Sequence, residues 1–271
     1  MIENYQFHYS FFGRLDKPLI LFLHGFMGNS HEFEEAISLL SHDFYCLTVD
    51  LPGHGETKVL GSENCYTMPT TADAIINLLD NLKIRKCFLV GYSMGGRLAL
   101  YLSLHFPFRF SKVILESASP GLLTEAERLE RVKRDEQIAR KLERSVHRND
   151  FAFFLSNWYE QAIFGTIKNH PHFQHLIEVR LQNNPIELAK SLRWMGTGCQ
   201  PSLWEKLKEN TNPLLLLAGE YDDKFIFINT KMSQLNEYCQ LKIISDSGHN
   251  IHFEKTLVFG ENIKGFFREN L

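Results

Sequence analysis

Cys87-Phe88-Leu89-Val90-Gly91-Tyr92-Ser93-Met94-Gly95-Gly96-Arg97-Leu98-Ala99-Leu100-Tyr101-Leu102 sets a serine between an apolar run of strand length and a segment with helical character. A glycine stands two residues before the serine and another two residues after it, the spacing of a nucleophile elbow. Side chains at either position would crowd the tight strand-to-helix turn, which holds the serine in a strained backbone conformation and keeps its hydroxyl exposed. The pattern is short, and the strand before it and the helix after it give it weight.

Working outward, short apolar runs recur at Leu19–Leu23, Tyr45–Val49, Lys112–Leu115, Leu214–Leu217 and Leu241–Ile244. They read as parallel strands buried on both faces. Helical segments fit between them, for instance Thr70 to Leu82 with Ala72, Ile75, Ile76 and Leu79 on one face, which gives the alternation of a doubly wound α/β sheet. Tyr5 to Phe12 reads as an antiparallel edge hairpin. From Glu116 to Pro213 no strand pattern occurs, and the densely charged stretch Glu125 to Arg148, with Leu129, Val132, Ala139, Leu142 and Val146 at helical spacing, predicts an amphipathic helix within a helical cap. The expected division is a core of residues 1–116 and 213–271 with a cap of 117–212.

The 271 residues, 44% of them hydrophobic, suit one large α/β domain with an insertion. A net charge of −3 leaves no basic footprint for nucleic acid or anionic lipid, so small molecules are the expected partners. The five cysteines, Cys46, Cys65, Cys87, Cys199 and Cys239, are odd in number and widely spaced, which speaks for a reducing, cytoplasmic location rather than a disulfide framework. No run has the length of a signal peptide or a membrane span.

A serine hydroxyl needs an adjacent histidine to become reactive, and the histidine needs an acid to fix its tautomer. The strand at Leu214–Leu217 is followed by Gly219-Glu220-Tyr221-Asp222-Asp223, and that at Leu241–Ile244 by Asp246-Ser247-Gly248-His249. Ser93, an aspartate and His249 thus follow one another in the order of α/β hydrolases, each just past the carboxyl end of a strand, where open α/β sheets place their ligands. Either Asp222 or Asp223 can be the acid on spacing alone. Backbone N–H groups of Phe26, in His24-Gly25-Phe26-Met27-Gly28, and of Met94 are placed to form an oxyanion hole. Asp50-Leu51-Pro52-Gly53-His54-Gly55 lacks the Lys-Ser/Thr of a phosphate loop and reads as a scaffold turn. His24, His54, His249 and His252 lack metal-ligand spacing, and neither metal nor cofactor is expected.

Over essentially its whole length the chain resembles the α/β-hydrolase superfamily. A narrower resemblance, to the 2-succinyl-6-hydroxy-2,4-cyclohexadiene-1-carboxylate synthase family of the menaquinone and phylloquinone pathways, rests on Leu23–Gly28, Asp50–Gly55, Gly91–Arg97, Ser119–Leu122, Trp158-Tyr159, Gly219–Phe225 and Gly248–Glu254. Arg97, the charged run Glu127–Asp135 and Arg180–Asn184 are its more particular marks. The resemblance implies a carbon–oxygen lyase that removes pyruvate from an enolpyruvyl cyclohexene carboxylate, with Ser93, polarised by His249 and Asp222, as general base. It also implies Arg97, Arg131 and Arg180 as carboxylate binders, with Tyr92 and Trp158 shaping the pocket. Arginine suits a polycarboxylate substrate because its fixed fork matches a carboxylate and stays charged. Arg97 lies one helical turn beyond Ser93 and shares its helix face. A carboxylesterase or carbon–carbon bond hydrolase of the same fold is the rival reading.

Overall fold

The computed structural model describes residues 4–165 and 167–268. Its nine strands are β1 (Tyr5–Gln6), β2 (Tyr9–Phe12), β3 (Leu19–Leu23), β4 (Tyr45–Val49), β5 (Lys58–Val59), β6 (Cys87–Tyr92), β7 (Phe110–Glu116), β8 (Leu214–Gly219) and β9 (Cys239–Ile244). Seven of them form one sheet in the order β2-β4-β3-β6-β7-β8-β9, parallel except for the β2–β4 pair. Alternate residues of each parallel strand enter opposite clusters: Leu21, Leu23, Leu89 and Leu216 face one side, and Ile20, Phe22, Val90 and Leu217 the other. This two-sided burial is why the runs read as continuously apolar rather than alternating.

Helices close both faces. On one lie α2 (Met68–Asn81), α3 (Met94–His105), α8 (Trp204–Leu207) and α9 (Asp223–Leu235); on the other lie α1 (Glu34–Leu40), α10 (Ile251–Glu254) and α11 (Thr256–Arg268). Between β7 and β8 come α4 (Glu125–Arg144), α5 (Arg148–Trp158), α6 (Phe173–Arg180) and α7 (Pro185–Met195) before α8. The helices α4 to α7 share a separate apolar cluster that also takes in Met27 of the loop after β3. Trp204 and Leu207 of α8 belong to the cluster under the sheet, so the chain rejoins the core before residue 212, the expected end of the cap.

Three sequence expectations are corrected. Tyr5 to Phe12 does not fold back on itself: β1 pairs with β5 and β2 with β4. The segment contains no Gly, Pro, Asn or Asp to make a turn, so it runs on extended and each half takes a different neighbour. The helix expected over Glu125–Arg148 ends at Arg144, and Val146 lies exposed in the break before α5. Leu129 and Val132 also face solvent, while the buried position one turn on is Asp135, which takes Arg131 Nε at 2.7 Å. A capping box between Thr124 and Glu127 starts α4, and Arg193 of α7 reaches its Glu136 and Glu143.

Candidate active site

Ser93 sits between β6 and α3 with φ 49° and ψ −105°, a conformation an L side chain rarely adopts. Its neighbours leave no room for the chain to relax. A Cβ on Gly91 would stand 2.5 Å from the Gly95 carbonyl oxygen, and one on Gly95 would stand 2.5 Å from that of His24. The Ser93 N–H donates to the Glu116 carbonyl at 2.8 Å, pinning the elbow to β7.

Asp222, His249 and Ser93 form one line: Nδ1 of His249 lies 2.6 Å from Asp222 Oδ2, and Nε2 lies 2.9 Å from Ser93 Oγ. The choice the spacing left open falls to Asp222, which is buried, whereas Asp223 is exposed as the first residue of α9. Asp222 is the N-cap of α9, accepting from the Phe225 N–H at 3.2 Å, so the cap geometry that starts the helix also aims its other oxygen at the imidazole. Rings of Tyr92, Phe164 and Phe225 enclose His249. Its N–H donates to the Ile163 carbonyl, and its carbonyl accepts from Ser117 Oγ.

Phe26 and Met94 border the same cavity as Ser93. Met94 opens α3, where an N–H has no carbonyl four residues back within the helix to bond. The loop carrying Phe26 is held from several sides. His24 donates from Nδ1 to the Gly25 carbonyl and accepts the Leu51 N–H on Nε2. Asn183 donates from Nδ2 to the Met27 carbonyl and accepts the Gly55 N–H on Oδ1, tying the cap to both loops. The Asp50–Gly55 stretch is the scaffold turn expected of it: Asp50 accepts the N–H groups of Ser30 and Glu56.

The cavity over Ser93 measures about 410 Å³, and among the described residues its wall holds Arg97, Arg131, Arg134, Arg180 and Lys224 and no aspartate or glutamate. The cations differ in what already holds them. Arg97 is buried, and its Nη1 donates to the Met195 carbonyl at 2.9 Å and to Gln200 Oε1 at 3.3 Å. Burial, and then the charge of Arg131, lower its pKa to about 10. Arg131 gives Nε to Asp135, and its terminal nitrogens have no partner among the described residues. Tyr92 donates from its hydroxyl to Asn250 Oδ1 at 2.6 Å. Trp158 borders the cavity and also packs against Phe26, Phe154 and Phe164, so it serves the cap core and the pocket wall together.

Arg180 departs from expectation. Its fork closes on both oxygens of Glu32, Nη1 on Oε2 at 2.7 Å and Nη2 on Oε1, and Nε donates to the Tyr159 hydroxyl at 3.2 Å. A protein carboxylate therefore occupies the place expected for a substrate's. Glu32 in turn accepts His252 Nε2 at 3.1 Å, while Nδ1 and the backbone N–H of His252 meet the Glu116 carboxylate. The side chains of all four residues in this chain of charges are buried. Burial disfavours the charged form of His252, but Glu116 and then Glu32 outweigh it and raise its pKa to about 9. Burial likewise opposes the Glu32 charge, and Arg180 followed by His252 hold its carboxyl well below the ordinary range. Sequence reading missed Glu32, Glu116, Asn183 and Lys224. Asn183, Lys224 and His252 lie inside the stretches Arg180–Asn184, Gly219–Phe225 and Gly248–Glu254, but Glu32 and Glu116 carry no local mark.

No helix of the described residues is long and apolar enough to cross a membrane. Residues 18–256 match the family described as alpha/beta hydrolase fold. The chain is 36% identical over 249 residues to the putative 2-succinyl-6-hydroxy-2,4-cyclohexadiene-1-carboxylate synthase of Bacillus subtilis, covering 91% of this chain and 89% of that protein. It is 31% identical over 255 residues to the 2-succinyl-6-hydroxy-2,4-cyclohexadiene-1-carboxylate synthase of Serratia proteamaculans, covering 94% of each. The solved structure of MenH from S. aureus superposes with a TM-score of 0.88 at 36% identity, covering 98% of both chains.

Proposed function

The chain belongs to the 2-succinyl-6-hydroxy-2,4-cyclohexadiene-1-carboxylate synthase family of the alpha/beta hydrolase fold, and from that premise we propose how its site carries out the reaction. The enzyme is a lyase of menaquinone biosynthesis: it eliminates pyruvate from 2-succinyl-5-enolpyruvyl-6-hydroxy-3-cyclohexene-1-carboxylate. The observation that carries the mechanism is the Asp222–His249–Ser93 line opening into a cavity walled by cations.

Ring carbon 2 of that substrate bears hydrogen next to the succinyl carbonyl and next to the ring double bond. Ser93 Oγ takes this proton as its own passes to His249 Nε2, and Asp222 stabilises the imidazolium that forms. The released electron pair shifts the double bonds to positions 2 and 4 and expels the enolpyruvyl oxygen from carbon 5. The departing enolate recovers a proton and ketonises to pyruvate, so atoms and charge balance without water attack or an acyl-enzyme. Charge accumulating on the succinyl oxygen faces the N–H groups of Phe26 and Met94, a contribution worth roughly 10²- to 10³-fold in rate per donor at such sites.

The small polycarboxylate partner accounts for Arg97 and Arg131, whose positive charge would serve a neutral ester poorly; the carboxylesterase alternative is not favoured. The five cysteines are free thiols, which supports a cytoplasmic location. The test supplies the enolpyruvyl substrate and follows pyruvate release together with diene absorbance. Ser93→Ala is expected to lower kcat by about a thousandfold with the unfolding midpoint unchanged. Undiminished turnover by a folded Ser93→Ala protein would overturn the mechanism.

A further inference from the structure

The substrate named above carries three carboxylates: one on the ring, one ending the succinyl chain and one on the enolpyruvyl group. The chain of charges behind Tyr92 leaves the cavity one strong cation short of the expected set, since Arg180 already serves Glu32. Lys224 borders the same cavity. It is the second residue of α9, two beyond Asp222, and it is exposed at the mouth of the cavity that Ser93 and Arg97 border. Its Nζ lies 5.3 Å from the ring centre of Phe225, the ring that in turn packs on His249 at 4.8 Å, so the ammonium sits on the aromatic floor beside the reacting groups.

Among the described residues no carboxylate forms a salt bridge with Lys224. Partial burial first, and then the charge of Arg131, disfavour its protonation; Asp222, turned to His249, opposes them, and Arg134 and Arg97 add to the effect of Arg131. A flexible ammonium on a four-carbon stem, held among three guanidinium groups, is a poor structural element and a ready anion ligand. Resting on the lyase reading, we propose that Lys224, with Arg97 and Arg131, binds a substrate carboxylate directly, and that Arg180 is a structural residue at this site.

Binding and turnover separate the two readings. Calorimetry of the enolpyruvyl substrate on the Ser93→Ala protein, which holds the ligand without consuming it, is compared with the Ser93→Ala, Lys224→Gln double variant. The second substitution is expected to weaken Kd 10- to 100-fold, and Lys224→Arg in its place is expected to restore it to within threefold. In the otherwise wild-type enzyme Lys224→Gln raises KM by a similar factor, leaves kcat within threefold and reduces the salt dependence of KM. Equal Kd for both proteins, or a loss confined to kcat, would overturn the assignment while pyruvate release by the wild type upheld the lyase. Weakened binding by Lys224→Gln in a protein that released no pyruvate would overturn the lyase and leave the anion site standing.

Discussion

The α6 wall and the α3 wall of the cavity each bury an arginine, and they treat its charge in opposite ways. At α6, Arg180 closes bidentately on Glu32, and His252 and Glu116 extend the alternation of charge to the base of the elbow. At α3, Arg97 among the described residues hydrogen-bonds a carbonyl and an amide oxygen and no carboxylate, and burial makes its charge costly, which its lowered pKa records. Removing a charge from water costs several kcal/mol unless a partner offsets it. The α6 wall meets that cost within the fold. At the α3 wall Asp135, already taken by Arg131, offsets part of the cost, and the rest is left for an anion from outside.

The strongest attack on this contrast is Glu32→Gln, which would leave Arg180 and His252 facing each other in the interior without their shared carboxylate. Unfolding in denaturant is expected to show a loss of about 3–5 kcal/mol, whereas Glu32→Met combined with Arg180→Met should recover much of it because the pair disappears together. Equal losses for the single and double changes would refute the view that the pair is mutually compensating.

His252 gives the next largest effect. Its pKa rises from 6.5 to about 9 in the fold, so the stability it contributes is complete below pH 6.5 and drains away as pH climbs through 9. A decline on the order of 3 kcal/mol is expected across that window in denaturant titrations, and His252→Asn should flatten it. Glu254, pushed up to about 7 chiefly by burial, acts with the same sign but between its ordinary 4.5 and 7, which keeps the two slopes apart. The smallest stability change belongs to Arg97→Met: unfolding free energy unchanged or higher by about 1 kcal/mol, while kcat/KM for pyruvate release falls by roughly a hundredfold. A stability loss as large as that of Glu32→Gln would erase the distinction between the walls.

What could be read from the chain follows the same physics. The elbow, the parallel strands and the order of Ser93, Asp222 and His249 are fixed by local constraints: a turn that admits only glycine, runs buried on both faces, loops at strand ends. The choice between Asp222 and Asp223 needed the direction of a side chain, which spacing does not contain and the α9 cap supplies. Glu32 was invisible because its partner lies 148 residues away and a lone glutamate in a loop has no periodicity. The pairing of Arg180, which does border the cavity, stayed hidden for the complementary reason: a motif reveals that an arginine is present and says nothing of which carboxylate of the fold reaches it. The break at Ser145 and the exposure of Leu129 and Val132 escaped because apolar spacing alone cannot distinguish the cap's inner surface from its outer one.

Met27 carries a last consequence. It is fully buried in the apolar cluster of α4 to α7, its φ is 65°, and its carbonyl accepts the amide of Asn183, yet it neighbours Phe26, the residue proposed to offer its N–H to the developing oxyanion. The roof of the pocket and the cradle for negative charge are therefore one mechanical part. Lifting the helices away as a rigid flap would tear out the peg that shapes the cradle, so traffic of substrate and pyruvate through the mouth is compatible with an active enzyme only while that peg stays seated.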